Sequence, residues 1–338
     1  MSGLHSHGHS HGHGHGHGHG HGHGHGHSHG HNRAQLTRAA AAASISVALF
    51  LVALKTWAAW NTGSAAMLGS LADSALDLVA SMVTFFGVMI AAQPADKDHR
   101  FGHGKAEAIA AMIQVVLIAL SAFGILLRSV EQWVEGSRVQ APEEGIGVSL
   151  VAIAVTLILL AWQRFVVART NSVAIKTDHV HYQSDLLLNI AVIAALSLDA
   201  YGGIAGADPV FGIGIALWLV YHAWEAGREA IDHLMDREWP EEKRRKFVEL
   251  AARHDELANL HDLRTRTSGS RDFVQFHVDM PGSMTVARSH DIIERVERDL
   301  MEHFPNMDLL IHIDPKGHVD EPDNPLAETD EFENLDKP

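Results

Sequence analysis

Long apolar stretches fill residues 38–228 and leave few folds open to this chain. Six of them, at about 38–60, 67–92, 107–128, 145–168, 181–201 and 209–228, approach the roughly 20 apolar residues that a helix needs to cross a bilayer. The last two are the weakest. Asp185 and Asn189 interrupt the fifth, and Gly212 and Gly214 break the sixth, so a buried core helix stands as the alternative for each. The charges between the stretches favour six crossings. Arg33 and Arg38 precede the first; Lys97, Arg100 and Lys105 follow the second; Arg164, Arg169 and Lys176 follow the fourth; Arg228 and Arg237 follow the sixth. The opposite loops hold only Arg128 and Arg138, and residues 61–66 carry no charge. Basic loops held on one side predict six spans with both termini in the cytoplasm.

The overall apolar share of 46% therefore averages unlike parts. Residues 1–32 are almost only His, Gly and Ser and are expected to be a disordered tail. Residues 33–230 form the membrane domain, and 231–316 are polar with short periodic patterns. Residues 317–338 carry about half of the net charge of −15, with little to bury, and are expected to be a second disordered tail. Such acidity does not point to nucleic acid as a partner. The absence of cysteine excludes disulfides and thiolate ligands, so any metal must be held by imidazole and carboxylate. The N-terminus has no basic-then-apolar pattern, so no secretory signal is expected.

Residues 231–316 read as helix, strand, strand, helix, strand. A helix is expected over 240–255, where Pro240 opens a run with apolar spacing of three and four. Strands are expected at 260–267 and 272–280 around a Ser-Gly-Ser turn, a helix at 285–303 and a last strand at 308–314. The fold class is thus an α-helical membrane domain of six transmembrane helices. A C-terminal cytoplasmic α+β domain, ferredoxin-like (metallochaperone-like), follows it.

Two aspartates inside the second span carry the chemistry. Asp73 and Asp77 are four residues apart and share a helix face, where two uncompensated charges in lipid cost several kcal/mol. A cation would neutralise them. The fifth span offers His181 and Asp185 at the same spacing, and three carboxylates with one imidazole suit a tetrahedral divalent ion, above all Zn²⁺. Helix–helix hydrogen bonding is the plainer alternative. A second group, Asp96, His99 and His103, lies in the loop after the second span, where a histidine is equally able to be merely solvated. A third lies in the soluble part. By strand alternation Val274, Phe276, Val278 and Met280 face a core and His277 faces away; His312 and Asp314 likewise oppose Leu309, Ile311 and Ile313. His261 and His290 complete a set that reads as one or two metal ions or as an exposed polar sheet face. The head adds 14 histidines at alternate positions from His5 to His31, a weak and multiple metal binder. Its loss is expected to change metal capture rather than transport.

The six-span plan, Asp73 with Asp77, the run 181-HYQSD-185, the loop 99-HRFGHGKAE-107 and 261-HDLRTRTSG-269 together resemble the cation diffusion facilitator family, closest to its bacterial YiiP-type zinc and ferrous-iron exporters. The resemblance covers about 33–316. It implies a homodimer in the bacterial inner membrane, not an enzyme, that exchanges a cytoplasmic divalent cation for protons by alternating access. It also implies a transport site of Asp73, Asp77, His181 and Asp185, a loop site of Asp96, His99 and His103, and a binuclear cytoplasmic site of His261, His277, His290, His312 and Asp314. Lys105 and Asp236 would form a salt bridge between the membrane and soluble parts. The cation set is Zn²⁺ first, then Fe²⁺, Cd²⁺ and Co²⁺. A membrane metalloprotease would need three ligands, an open position and a general base, and no HExxH is present. A non-transporting metal sensor or buffer is the other alternative, and it would have no use for an intramembrane site.

Overall fold

The computed structural model describes residues 27–62, 65–135, 145–202, 207–317 and 331–334. Six long helices come first: α1 (His27–Thr62), α2 (Ala65–Ala91), α3 (Ala106–Glu135), α4 (Gly145–Thr170), α5 (Val173–Gly202) and α6 (Ala207–Leu234). Five of them contain stretches long and apolar enough to cross a membrane, at Arg33–Asn61, Asp73–Ala91, Ala106–Val134, Leu150–Thr170 and Pro209–Leu234. α5 spans 30 residues, but Lys176, Asp178, His179, His181 and Asp185 dilute its apolar character.

The bundle is apolar outside and carries polar groups among small and apolar residues inside. Trp57, Leu120, Phe123, Ile158, Leu217 and Trp224 are exposed, whereas Ser44, Thr84, Gln114, Gln163, Asp178 and His181 are buried. That distribution suits lipid, which cannot hydrogen-bond and drives polar groups to one another. α5 packs against α2, α3, α4 and α6, so its polar residues lie at the centre. Gly212 does not break α6. A Cβ there would sit 2.1 Å from Ser129 Oγ, so this glycine lets α6 lie directly on α3.

At both tails the boundary differs from the sequence-based expectation. Helix α1 begins at His27, inside the head expected to be disordered to residue 32, because extending an existing helix costs far less than nucleating one. Residues 1–26, with most of the alternating histidines, lie outside the described residues. In the acidic tail, α9 (Glu331–Asn334) forms one helical turn. Phe332 packs against the soluble core and Glu331 accepts a hydrogen bond from Arg244. Counting charge missed the apolar anchor.

The soluble part is α7 (Glu241–Ala251), β1 (Ala258–Ser268), β2 (Arg271–Met280), α8 (Val286–His303) and β3 (Met307–Pro315). The strands form one sheet in the order β1-β2-β3. β1 and β2 are an antiparallel hairpin, and β3 lies parallel to β2 after the α8 crossover. Phe247, Leu250, Leu260, Phe276, Val278, Ile292, Val296 and Leu300 form its core. Thr285 caps α8, its hydroxyl accepting from the Arg288 N–H at 3.3 Å. α7 stops at Ala251 rather than 255, where His254 turns away to meet Asp299 at 3.0 Å.

The loop between α2 and α3 docks on this domain. Lys105 Nζ lies 3.0 Å from Asp236 Oδ2, and Arg266 reaches the same oxygen at 3.5 Å. Arg266 also covers the rings of Phe101 and Phe273, which meet edge to face. A Cβ on Gly104 would lie 2.5 Å from the Ser268 carbonyl, so only glycine fits there.

Candidate metal centres

Ligand atoms around a tetrahedral Zn²⁺, each about 2.1 Å from it, are about 3.4 Å apart. Three clusters among the described residues can be judged against that spacing.

The first lies inside the bundle. Asp77 on α2 and His181 and Asp185 on α5 bring one ligand atom each within 4.8 Å of one another. His181 Nε2 is 3.3 Å from Asp77 Oδ1 and 4.0 Å from Asp185 Oδ2. That nitrogen is buried and makes no hydrogen bond, so a lone pair or a proton is aimed at two carboxylates. Asp73, one turn along α2, is exposed and stands outside the cluster. The fourfold set expected from sequence is therefore three residues here. Tyr182, adjoining His181, donates or accepts with Ser81 at 2.7 Å and reaches the Ser44 carbonyl at 3.1 Å, which fixes the rotation of α5.

The second cluster is in the α2–α3 loop. Asp96 Oδ1 accepts from the backbone N–H groups of Asp98 at 2.9 Å and His99 at 2.6 Å. Those donors, the His99 amide above all, hold the Asp96 carboxyl below its ordinary pKa and keep it ionised. His99 Nδ1 and His103 Nε2 stand 3.3 and 3.4 Å from its two oxygens. The spacing fits a bound ion, and His103 Nδ1 is buried without a hydrogen-bond partner.

The third cluster crosses the sheet. The register places His261 opposite His277 and His277 opposite His312, a row of three imidazoles over three strands. Asp314 lies beyond them and is only 8% exposed, although it is on the face away from the core. Its Oδ2 is 3.6 Å from His261 Nε2 and 2.9 Å from His277 Nδ1, while its Oδ1 is 3.4 Å from His312 Nε2. Two oxygens facing different imidazoles are the arrangement a bridging carboxylate needs. Bulges on either side of His261, with positive φ at Asn259 and Asp262, kink β1. They swing Asp262 towards the row, where its Oδ2 lies 3.6 Å from His277 Nε2. No periodicity in the sequence signalled Asp262. His290 is not brought into the cluster. It is exposed on α8, which covers the core face of the sheet, and its charge acts on Glu297 instead.

A second residue missed from sequence is Asp178. It shares the α5 face of His181 and Asp185 at spacings of three and seven, a signal that was legible. It is fully buried.

Residues 41–235 match the model of the cation efflux transmembrane domain, and 239–316 match that of the cation efflux protein cytoplasmic domain. The chain belongs to the cation efflux, or cation diffusion facilitator, family. Among its relatives, the cation-efflux pump FieF of Pectobacterium atrosepticum is 41% identical over 274 residues, 81% of this chain and 91% of its own. FieF of Yersinia pestis is 42% identical over 268 residues, 79% and 89% of the two chains. The metal-bound C-terminal domain of the CzcD transporter from Thermotoga maritima is similar at 22% identity, covering 23% of this chain and 92% of that domain, with a TM-score of 0.22. The protein is thus a cation diffusion facilitator of the membrane: a helical domain for cation efflux with a cytoplasmic domain attached.

Proposed function

We propose that this protein exports a divalent cation from the cytoplasm in exchange for protons, by alternating access, with Zn²⁺ ahead of Fe²⁺, Cd²⁺ and Co²⁺. One observation carries the reading: Asp77, His181 and Asp185 converge in the middle of the helical bundle, and His181 Nε2 is buried there without a hydrogen bond. Two carboxylates and an imidazole at this depth need a positive partner, and a divalent cation and protons can serve in turn. Asp73 is proposed as the fourth ligand, reached by turning its side chain along the shared α2 face. The nitrogen ligand favours Zn²⁺ over Mn²⁺, while the order of intrinsic affinities does not select among Zn²⁺, Fe²⁺, Cd²⁺ and Co²⁺.

The proposal extends to the organisation of the chain. α5 also crosses the membrane, as the fifth of six spans, with its polar face turned inward, and both termini lie in the cytoplasm of a bacterium. The domains divide as 1–32, 33–230, 231–316 and 317–338, with the outer two shortened by the helical residues His27–Asn32 and Glu331–Asn334. The cytoplasmic domain is a ferredoxin-like unit without its first strand, which lets β2 and β3 pair directly. Two copies form a homodimer. Asp96, His99 and His103 hold one resident metal ion. His261, His277, His312 and Asp314 hold a binuclear pair that would bind the strands together, and His290 joins if residues 281–290 move. Lys105 and Asp236 tie the membrane domain to the cytoplasmic one.

Zinc uptake into proteoliposomes under an imposed pH gradient tests the reading. Wild type is expected to follow the gradient, and Asp73→Ala/Asp77→Ala to show none. Undiminished flux in the double variant would refute the transport site. Zinc binding without gradient-driven flux in the wild type would make the protein a sensor or buffer.

A further inference from the structure

Asp178 lies one helical turn from His181 towards the start of α5, the end that meets Gly104, Lys105 and the cytoplasmic domain. Its carboxyl is fully buried and joins four other helices through neutral groups. Oδ1 accepts from Gln114 Nε2 on α3 at 2.9 Å and from Thr84 Oγ1 on α2 at 3.3 Å. Oδ2 accepts from Gln163 Nε2 on α4 at 2.7 Å, and the same nitrogen donates to Ser44 Oγ on α1 at 3.0 Å. Asp178 makes no ion pair with lysine or arginine among the described residues. An aspartate kept only to glue helices is cheapest as asparagine, and one kept permanently ionised in a bundle needs a cation. Asp178 has neither solution. Its partners are two amides and the Thr84 hydroxyl, and an amide can serve both charge states: it donates N–H to a carboxylate and, turned over, accepts O–H from a carboxylic acid.

We propose that Asp178 is a proton-holding site of the transporter, separate from the metal ligands, which loads when the metal site is vacant and discharges towards the cytoplasm when a dication arrives. The inference rests on the proton-exchange reading above. A dication one turn away favours the ionised carboxyl by Coulomb attraction, and its departure favours the protonated one. On discharge the carboxyl O–H bond breaks, its electron pair stays on Asp178, and the proton passes to the next acceptor towards the cytoplasm. Glu107 is a carboxylate at the cytoplasmic end of the bundle. It stands two turns from Gln114 on α3, accepts from Ser172 Oγ at 2.6 Å, and lines both small cavities, of ≈ 30 and ≈ 20 Å³, at the cytoplasmic end of the bundle. The titratable groups that act on Asp178 are His181 and Tyr182 on its own helix, while His179 Nδ1 lies 3.2 Å from Gln163 Oε1; α1, α2, α3 and α4 present Ser44, Thr84, Gln114 and Gln163.

The test reads zinc and proton fluxes together in proteoliposomes of the full chain, with equilibrium zinc binding measured beside them. Asp178→Asn is expected to bind zinc within about twofold of wild type, to lose about one proton per zinc, and to flatten the dependence of rate on pH. Gln114→Met removes a donor from the charged form and is expected to move the midpoint of that dependence up by roughly one pH unit. Asp178→Asn with wild-type stoichiometry, or Gln114→Met with an unmoved midpoint, overturns the proposal, as does loss of zinc binding in Asp178→Asn, which would make the residue structural. If Asp178→Asn does not fold, the Gln114→Met midpoint decides. Absence of gradient-driven flux in wild type is a different result and refutes the antiport reading itself.

Discussion

A single buried nitrogen, His181 Nε2, shows how this chain uses residues that would otherwise be costly. Among leucines an unpaired polar atom is a defect of about 1–3 kcal/mol; between Asp77 and Asp185 it is one corner of the proposed cation site. Glu297 makes the opposite point outside the membrane. Partial burial on α8 raises its pKa above the ordinary glutamate value, with His290 opposing and Glu294 and Asp308 adding to the effect. A carboxyl whose folded pKa is raised stabilises the fold less as pH rises, because the charged form is the one the fold disfavours. Glu297→Gln should therefore raise the melting temperature of the metal-free protein at pH 8 and leave it nearly unchanged at about pH 3, below the ordinary glutamate range, where wild type is protonated in both states. Equal melting shifts at the two pH values would rule out this account.

At the scale of elements, contact between helices is set by small residues and by what they allow to approach. Gly212 read from sequence as a break, because glycine weakens an isolated helix by about 1 kcal/mol. In the bundle the same atom-sized gap brings α6 onto Ser129 of α3. Gly212→Leu should force the two helices apart, at about 1–3 kcal/mol. Thermal unfolding of the purified protein would show the loss, and a wild-type melting curve would mean that α3 and α6 do not meet there. β1 illustrates the converse. Its bulges were invisible in the pattern of apolar residues, yet they decide that Asp262 joins His261 and His277 on one side of the sheet.

At the scale of the whole molecule, the membrane and cytoplasmic parts meet through a short polar and aromatic seam. Arg266 touches Phe101, Phe273 and Asp236 at once, and Asp236 in turn holds Lys105. The acidic tail contributes a second long-range contact, through Phe332 on the soluble core and Glu331 on Arg244. Phe332→Ala should destabilise the cytoplasmic domain by roughly 1–2 kcal/mol, the value of a partly buried aromatic side chain. Hydrogen exchange of α7 and β1 amides is the measurement: faster exchange there is expected, and exchange equal to wild type would show that the tail adds nothing.

The long helices and the order of strands and helices after residue 240 were legible in the sequence, since the length of an apolar run and the periods of helix and strand are local properties; α5 is the exception as a span, because its polar residues leave five stretches apolar enough to cross a membrane among the described residues. So were the pairs Asp73 with Asp77 and His181 with Asp185, because four residues make one helical turn wherever the helix sits. What only the tertiary structure decided is which of these groups meet. It left Asp73 and His290 outside the clusters, buried Asp314 beneath three imidazoles, and surrounded Asp178 with amides from two other helices. The physical reason is that a helix or strand fixes the direction of a side chain only relative to its own axis. The distance between ligands on different elements depends on rotation, register and bulges, and these are set by packing across the whole fold.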